Sequence, residues 1–158
     1  SVKSRTGYLI TLGTCPVTWV SKLQELVSCS TLEAEYIALS TAMRDLVPLQ
    51  RLLQKIGEQL NMDFAKPALT HSTVFEDNNG ALGLATAPKL TPRTKHVAVR
   101  YHWFKSKIGP GPTEANPNGQ GEGILITKVD TRNQKADIFT KGLPEETFEH
   151  IRKLLMGW

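Results

Sequence analysis

Apolar and polar positions alternate from the start of the chain. Residues 7–13 (GYLITLG) and 16–22 (PVTWVSK) are rich in β-branched and aromatic side chains and predict two short strands. Thr14 and Cys15 between them predict a tight turn, hence an antiparallel hairpin. The period then changes. Leu32, Tyr36, Leu39, Met43 and Leu46 recur at spacings of four and three, the stripe of an amphipathic helix. Ser30 or Thr31 can cap it, and Glu33 and Glu35 fall near its start, where the positive helix end favours acids. Pro48 is expected to end or kink the helix, because its ring clashes with the carbonyl four residues back. Residues 49–60 read as helix beyond that break.

Residues 73–77 (TVFED) predict a third strand ending in acid, and Asn78-Asn79-Gly80 turns the chain into a short helix over 80–86. Thr94 can cap a further helix whose apolar face is Val97, Tyr101, Phe104 and Ile108. Residues 109–121 hold four Gly and three Pro without periodicity and read as a flexible loop, longer than the usual connection. A fourth strand follows over 122–129, expected to run parallel to 73–77 because a long helical crossover separates them. Two helices close the chain, near 134–141 and 144–156, the second with Pro144 in its first turn. This order describes a mixed α/β layer, one sheet covered on its faces, in a single domain over 1–158.

Composition narrows the class. The 158 residues are 40% hydrophobic and 22% charged, the make-up of a globular chain. No apolar run nears the ~20 residues needed to cross a bilayer, so no membrane partner is expected. Cys15 and Cys29 are the only cysteines, too few for a tetrahedral zinc site, and read as reduced thiols. Any metal should therefore be a hard, oxygen-bound ion.

Three acids stand at element boundaries: Glu35 early in the long helix, Asp77 at a strand end, and Asp137 at the start of a late helix. Taken singly, each reads as solvated surface. Brought together, they would repel unless a cation neutralised them, and Mg²⁺ suits one or two carboxylates plus phosphate oxygens. Two such ions about 4 Å apart serve phosphodiester cleavage. Between Asn78 and Thr113 there is no acid but six basic residues, Lys89, Arg93, Lys95, Arg100, Lys105 and Lys107. A solvated face usually mixes signs; a one-signed stretch beside an acidic cluster suits a polyanion.

Several motifs then carry a resemblance. Ser4-Arg5-Thr6-Gly7-Tyr8, Trp19-Val20-Ser21-Lys22 with Gln24, and STLEAEYIAL over 30–39 are the first of them. Glu76-Asp77-Asn78, Arg93-Thr94-Lys95-His96 with Tyr101-His102, and Gln134 through Lys141 follow in order. Together they resemble the ribonuclease H domain of copia-type retrotransposon reverse transcriptase polyproteins. The resemblance implies a ribonuclease H-like fold, a mixed sheet flanked by helices. It implies an endoribonuclease that cleaves the RNA strand of RNA–DNA hybrids by two-metal hydrolysis with Mg²⁺, or Mn²⁺ in its place. Glu35, Asp77 and Asp137 match the catalytic, metal-binding acids; Arg93, Lys95, His96, Arg100 and Asn78 would contact nucleic acid. The partners implied are the hybrid and the reverse transcriptase portion of the same polyprotein. The location implied is intracellular, in the cytoplasm and its virus-like particles.

One departure stands out. The family carries its first catalytic aspartate on a central strand before the SRTGY motif, whereas here the first Asp is Asp45, inside the long helix. The chain is thus expected to lack that strand and its ligand, to leave backbone groups of the sheet unpaired, and to be feeble or inactive alone. The alternative is a non-catalytic nucleic-acid-binding module derived from such an enzyme. A transposase or integrase of the same broad fold is disfavoured by the match to Gln134-Lys135-Ala136-Asp137.

Overall fold

The computed structural model describes residues 3–62, 71–87, 99–109 and 121–158. The hairpin is present: β1 (Arg5–Leu12) pairs antiparallel with β2 (Cys15–Leu23), Leu12 opposite Cys15. The turn is Gly13-Thr14 rather than Thr14-Cys15. Gly13 adopts φ 59°, a left-handed conformation that glycine enters without steric cost, and this moves the turn one residue back.

Helix α1 (Thr31–Gln59) starts at Ser30, whose side chain accepts from the Glu33 N–H, while Glu33 Oε2 accepts from the Cys29 N–H at 2.7 Å. Pro48 does not end it; 29 residues run through as one helix. Proline removes one backbone bond, and burial on either side of it outweighs that loss. Val47 and Gln50 are both buried, and Gln50 Nε2 donates to the Glu122 carbonyl at 2.8 Å.

Strand β3 (Ser72–Glu76) pairs in parallel with β4 (Ile124–Lys128), Ser72 opposite Ile124 and Glu76 opposite Lys128. Between them, α2 (Asn79–Thr86) is capped by Asn78, which accepts from the N–H groups of Gly80 and Ala81. The helix expected from Thr94 is replaced, within the described residues, by 3₁₀ turns at Val99–Tyr101 and Trp103–Lys107; Thr94 and Val97 lie outside them. Phe104 is fully buried, as its place in the expected stripe required. The Tyr36 hydroxyl and His102 Nδ1, hydrogen-bonded at 2.8 Å, hold the junction between the two turns against α1.

Of the glycine- and proline-rich stretch 109–121, residues 110–120 lie outside the described residues, but its ends meet: Gly109 and Ile124 exchange two backbone bonds. A Cβ on Gly121 would come within 2.6 Å of Gly109 backbone atoms, so the junction requires glycine. The segment expected as helix over 134–141 is a 3₁₀ turn (Lys135–Phe139), and α3 (Glu145–Met156) follows with Pro144 one position earlier than expected, at its N-cap.

Tyr36, Leu39, Met43 and Val47 of α1 pack with Leu84, Ala85, Phe104 and Ile124 as the core. The architecture is mixed α/β, but the single sheet expected is, among the described residues, two two-stranded sheets, β1-β2 and β3-β4. A cavity of about 1000 Å³ is lined by residues 7–13 and residues 71–77, with Ala38, Leu39, Met43 and Leu46 of α1 against it. Among the described residues each sheet has two strands, so β1 and β3 each have one edge without a partner strand. Cys15 and Cys29 are exposed, and neither forms a disulfide. Among the described residues, no helix is long and apolar enough to cross a membrane.

Candidate functional site

Glu35, Asp77 and Asp137 all line the cavity between the two sheets. Each arrives by a different route. The Ser30 cap starts α1 so that Glu35 lies just beyond its first turn, four residues before buried Leu39. Asp77 follows the last residue of β3, where Lys128 Nζ donates to the Asp77 carbonyl at 3.0 Å and to Asn79 Oδ1, clamping the strand-to-helix turn. Asp137 is brought in by contacts on either side of it in sequence. Gln134 Nε2 donates to the Phe75 carbonyl at 3.1 Å, and Ser21 Oγ donates to the Phe139 carbonyl at 2.6 Å. The segment therefore spans from the β3 end to the hairpin, and Asp137 within it is buried.

The acids sense one another. Burial pushes the Glu35 carboxyl above its ordinary value, and the negative charges of Asp77 and Asp137 push it further, against the pull of Lys141. Lys141 Nζ lies 2.7 Å from Asp137 Oδ2. A fourth acid, Glu76, also lines the cavity. Burial pushes it up to about 7, although its Oε1 accepts from the Asn78 N–H at 2.9 Å. Glu76 was not among the site residues expected from the sequence; the signal was strand alternation, since Ser72, Val74 and Glu76 share the less exposed face of β3.

The donor set fits a hard divalent cation in kind: carboxylate oxygens whose mutual repulsion a cation would relieve. It is not a closed cage. Among the described residues, no group of three or more His, Cys, Asp or Glu side chains is placed to hold a metal ion. To hold such an ion, the acids would need at least one further oxygen donor or movement toward one another.

The residues expected to meet nucleic acid divide. Arg93, Lys95 and His96 lie outside the described residues. Arg100 is exposed, its guanidinium 4.9 Å from the centre of the Tyr101 ring and donating to the Tyr101 hydroxyl at 2.8 Å. The Asn78 side-chain oxygen is committed to capping α2. Two other members of the basic stretch have structural bonds. Lys105 Nζ donates to the Leu84 carbonyl at 2.7 Å, and Lys107 pairs with Glu122. Trp103 packs edge-on against Phe104, with ring centres 6.4 Å apart.

Comparison with known proteins gives one consistent relationship. No protein-family model matches the chain, and no solved structure does. The retrovirus-related Pol polyprotein from transposon TNT 1-94 of Nicotiana tabacum is 33% identical over 97% of this chain. Those from transposons RE2 and RE1 of Arabidopsis thaliana are each 29% identical, over 95% and 94% of it. The chain spans about a tenth of the length of these curated relatives. Along nearly all of its residues, it is thus homologous to one segment of the Pol polyproteins of copia-type retrotransposons.

Proposed function

We propose that the chain is the ribonuclease H segment of such a polyprotein, an endonuclease for the RNA strand of RNA–DNA hybrids acting beside the polyprotein's reverse transcriptase. The observation that carries this reading is the meeting of Glu35, Asp77 and Asp137 at one cavity, close enough for two of the charges to raise the third. Mg²⁺, or Mn²⁺ in its place, would supply the charge that activates water and stabilises the leaving oxygen. Glu35, Asp77 and Asp137 would hold it. Arg100, with Arg93, Lys95 and His96, would hold phosphates along the hybrid, and Asn78 would offer its amide N–H₂.

The fold reading that accompanies this function is one ribonuclease H-like sheet divided by the place of a strand. Consecutive residues of β1 and of β3 line the cavity, and among the described residues each of these strands has an edge without a partner strand. An extended strand would pair with both edges and could carry a further carboxylate to the acids, the donor that coordination requires.

The test is cleavage of an RNA–DNA duplex, with Mg²⁺, by a chain extended upstream through one more strand. Cutting by that protein, abolished by Asp77→Asn, is the expected result. An extended protein that does not cut, or an Asp77→Asn variant that cuts undiminished, overturns the assignment. The open geometry of the acids favours a second reading, a hybrid-binding module without turnover. It predicts salt-sensitive, Mg²⁺-indifferent binding by the same extended protein.

A further inference from the structure

Lys141 stands among the carboxylates as a cation of the protein's own. Its Nζ is 2.7 Å from Asp137 Oδ2. The pair is held by local backbone geometry, because the Asp137 carbonyl accepts from the Lys141 N–H at 3.2 Å and from both the N–H and hydroxyl of Thr140 at 3.0 Å. This turn folds the lysine back over the aspartate that precedes it by four residues. The charges of Asp137, Asp77 and Glu35 all favour the ammonium and outweigh the cost of its partial burial. The two partners differ in freedom. The Asp137 side chain is 10% exposed and its segment is pinned at Gln134 and Phe139, whereas the Lys141 side chain is 54% exposed. Asp137 stays where it is; the ammonium has open water to move into.

We propose that Lys141 is a built-in counter-cation of the carboxylate site: it holds Asp137 when no divalent ion is bound and swings into solvent when one binds. The inference rests on the metal-binding reading of Glu35, Asp77 and Asp137. Lys141 is a positioning residue in this scheme. It stabilises the ion-free arrangement of three like charges and thereby lowers the affinity for the ion that replaces it. No bond is made or broken, and the lysine keeps its proton throughout.

The experiment is calorimetric titration of Mg²⁺ into the extended protein of the cleavage test, unsubstituted and as Lys141→Gln and Lys141→Arg, with melting temperatures measured in chelator. Lys141→Gln should bind Mg²⁺ more tightly, on the order of ten-fold for the loss of one competing charge at contact distance. It should also melt lower in chelator. Lys141→Arg should stay near wild type in both. A second measurement needs no variant: the Lys141 ammonium resonance should be protected in the ion-free protein and become solvent-exchanged as Mg²⁺ saturates the site. Unchanged or weaker Mg²⁺ binding by Lys141→Gln, or an ammonium still paired at saturation, overturns the proposal. If neither wild type nor Lys141→Gln takes up Mg²⁺ at all, the metal-binding reading fails and this inference with it.

Discussion

Gly7 of β1 and Thr140, beyond the 135–139 turn, are so close that no side chain fits between them. A Cβ on residue 7 would collide with the Thr140 methyl and lie 3.1 Å from Phe139 Cβ and 3.2 Å from the Ala136 carbonyl oxygen. This contact, with the Ser21 bond to the Phe139 carbonyl, sets the segment that carries Asp137 against the hairpin. Gly7→Ala should therefore displace that segment. Overpacking of this kind costs roughly 1–3 kcal/mol. The expected readouts are a lower urea midpoint and weaker Mg²⁺ binding. Gly83→Ala is the control, since a Cβ there meets nothing within 4 Å. It should be neutral or stabilising by about 0.5–1 kcal/mol, as alanine favours a helix interior.

Tyr8 lines the cavity, and its hydroxyl donates to Asp45 Oδ2 on α1. Burial raises the phenol's pKa first, and the Asp45 bond and charge raise it further. The bond ties the hairpin to the helix beneath it, so Tyr8→Phe and Asp45→Ala should each lose about 1.5–3 kcal/mol, the range for a hydrogen bond to a charged partner. Urea denaturation of both single variants and the double variant checks this. The double should cost clearly less than the two losses added, because both variants remove the same bond.

Phe104 separates core from surface in a simple comparison. It is fully buried against Tyr36 and Trp103, whereas Phe75 is 57% exposed on the outer face of β3. Phe104→Ala should cost about 3–5 kcal/mol through lost burial and a cavity. Phe75→Ala should stay within about 0.5 kcal/mol of wild type. Equal losses for the two would mean that the outer face of β3 is covered in solution.

Glu122 gives a pH dependence of known sign. Burial tends to raise its carboxyl, but hydrogen bonds and charge from Lys107 and Arg51 overcome this and hold it below the ordinary value of 4.5. The folded protein thus binds this proton less readily than the unfolded chain. The stabilisation is present in full above pH 4.5 and is lost as pH falls through the lowered value. Glu122→Gln should flatten the acid limb of a stability–pH curve measured by urea melts. An acid limb as steep as that of wild type would contradict the pairing.

What was legible in the sequence follows from local rules. The hairpin, the stripe from Tyr36 to Met43, the acid at the end of β3 and the parallel pairing of β3 with β4 rest on side-chain period and on the length of the crossover. Boundaries and helix type were less legible. Gly13 moved a turn, Pro48 left α1 unbroken, and the expected helix around Tyr101 and Phe104 is two short 3₁₀ turns where described. In each case, an anchoring contact distant in sequence, or a single backbone angle, outweighed the local preference.

The sequence by itself singled out Glu35, Asp77 and Asp137 as candidates, because they sit in recognisable motifs at the ends of predicted elements. Only the tertiary structure decided that they face one cavity, that Glu76 joins them, and that Lys141 neutralises Asp137. It also decided that, among the described residues, the strands form two sheets with a strand-lined cavity rather than one continuous sheet. Propensity and period act over a few residues, whereas the distance between two charges or two strand edges is set by packing between segments far apart in the chain.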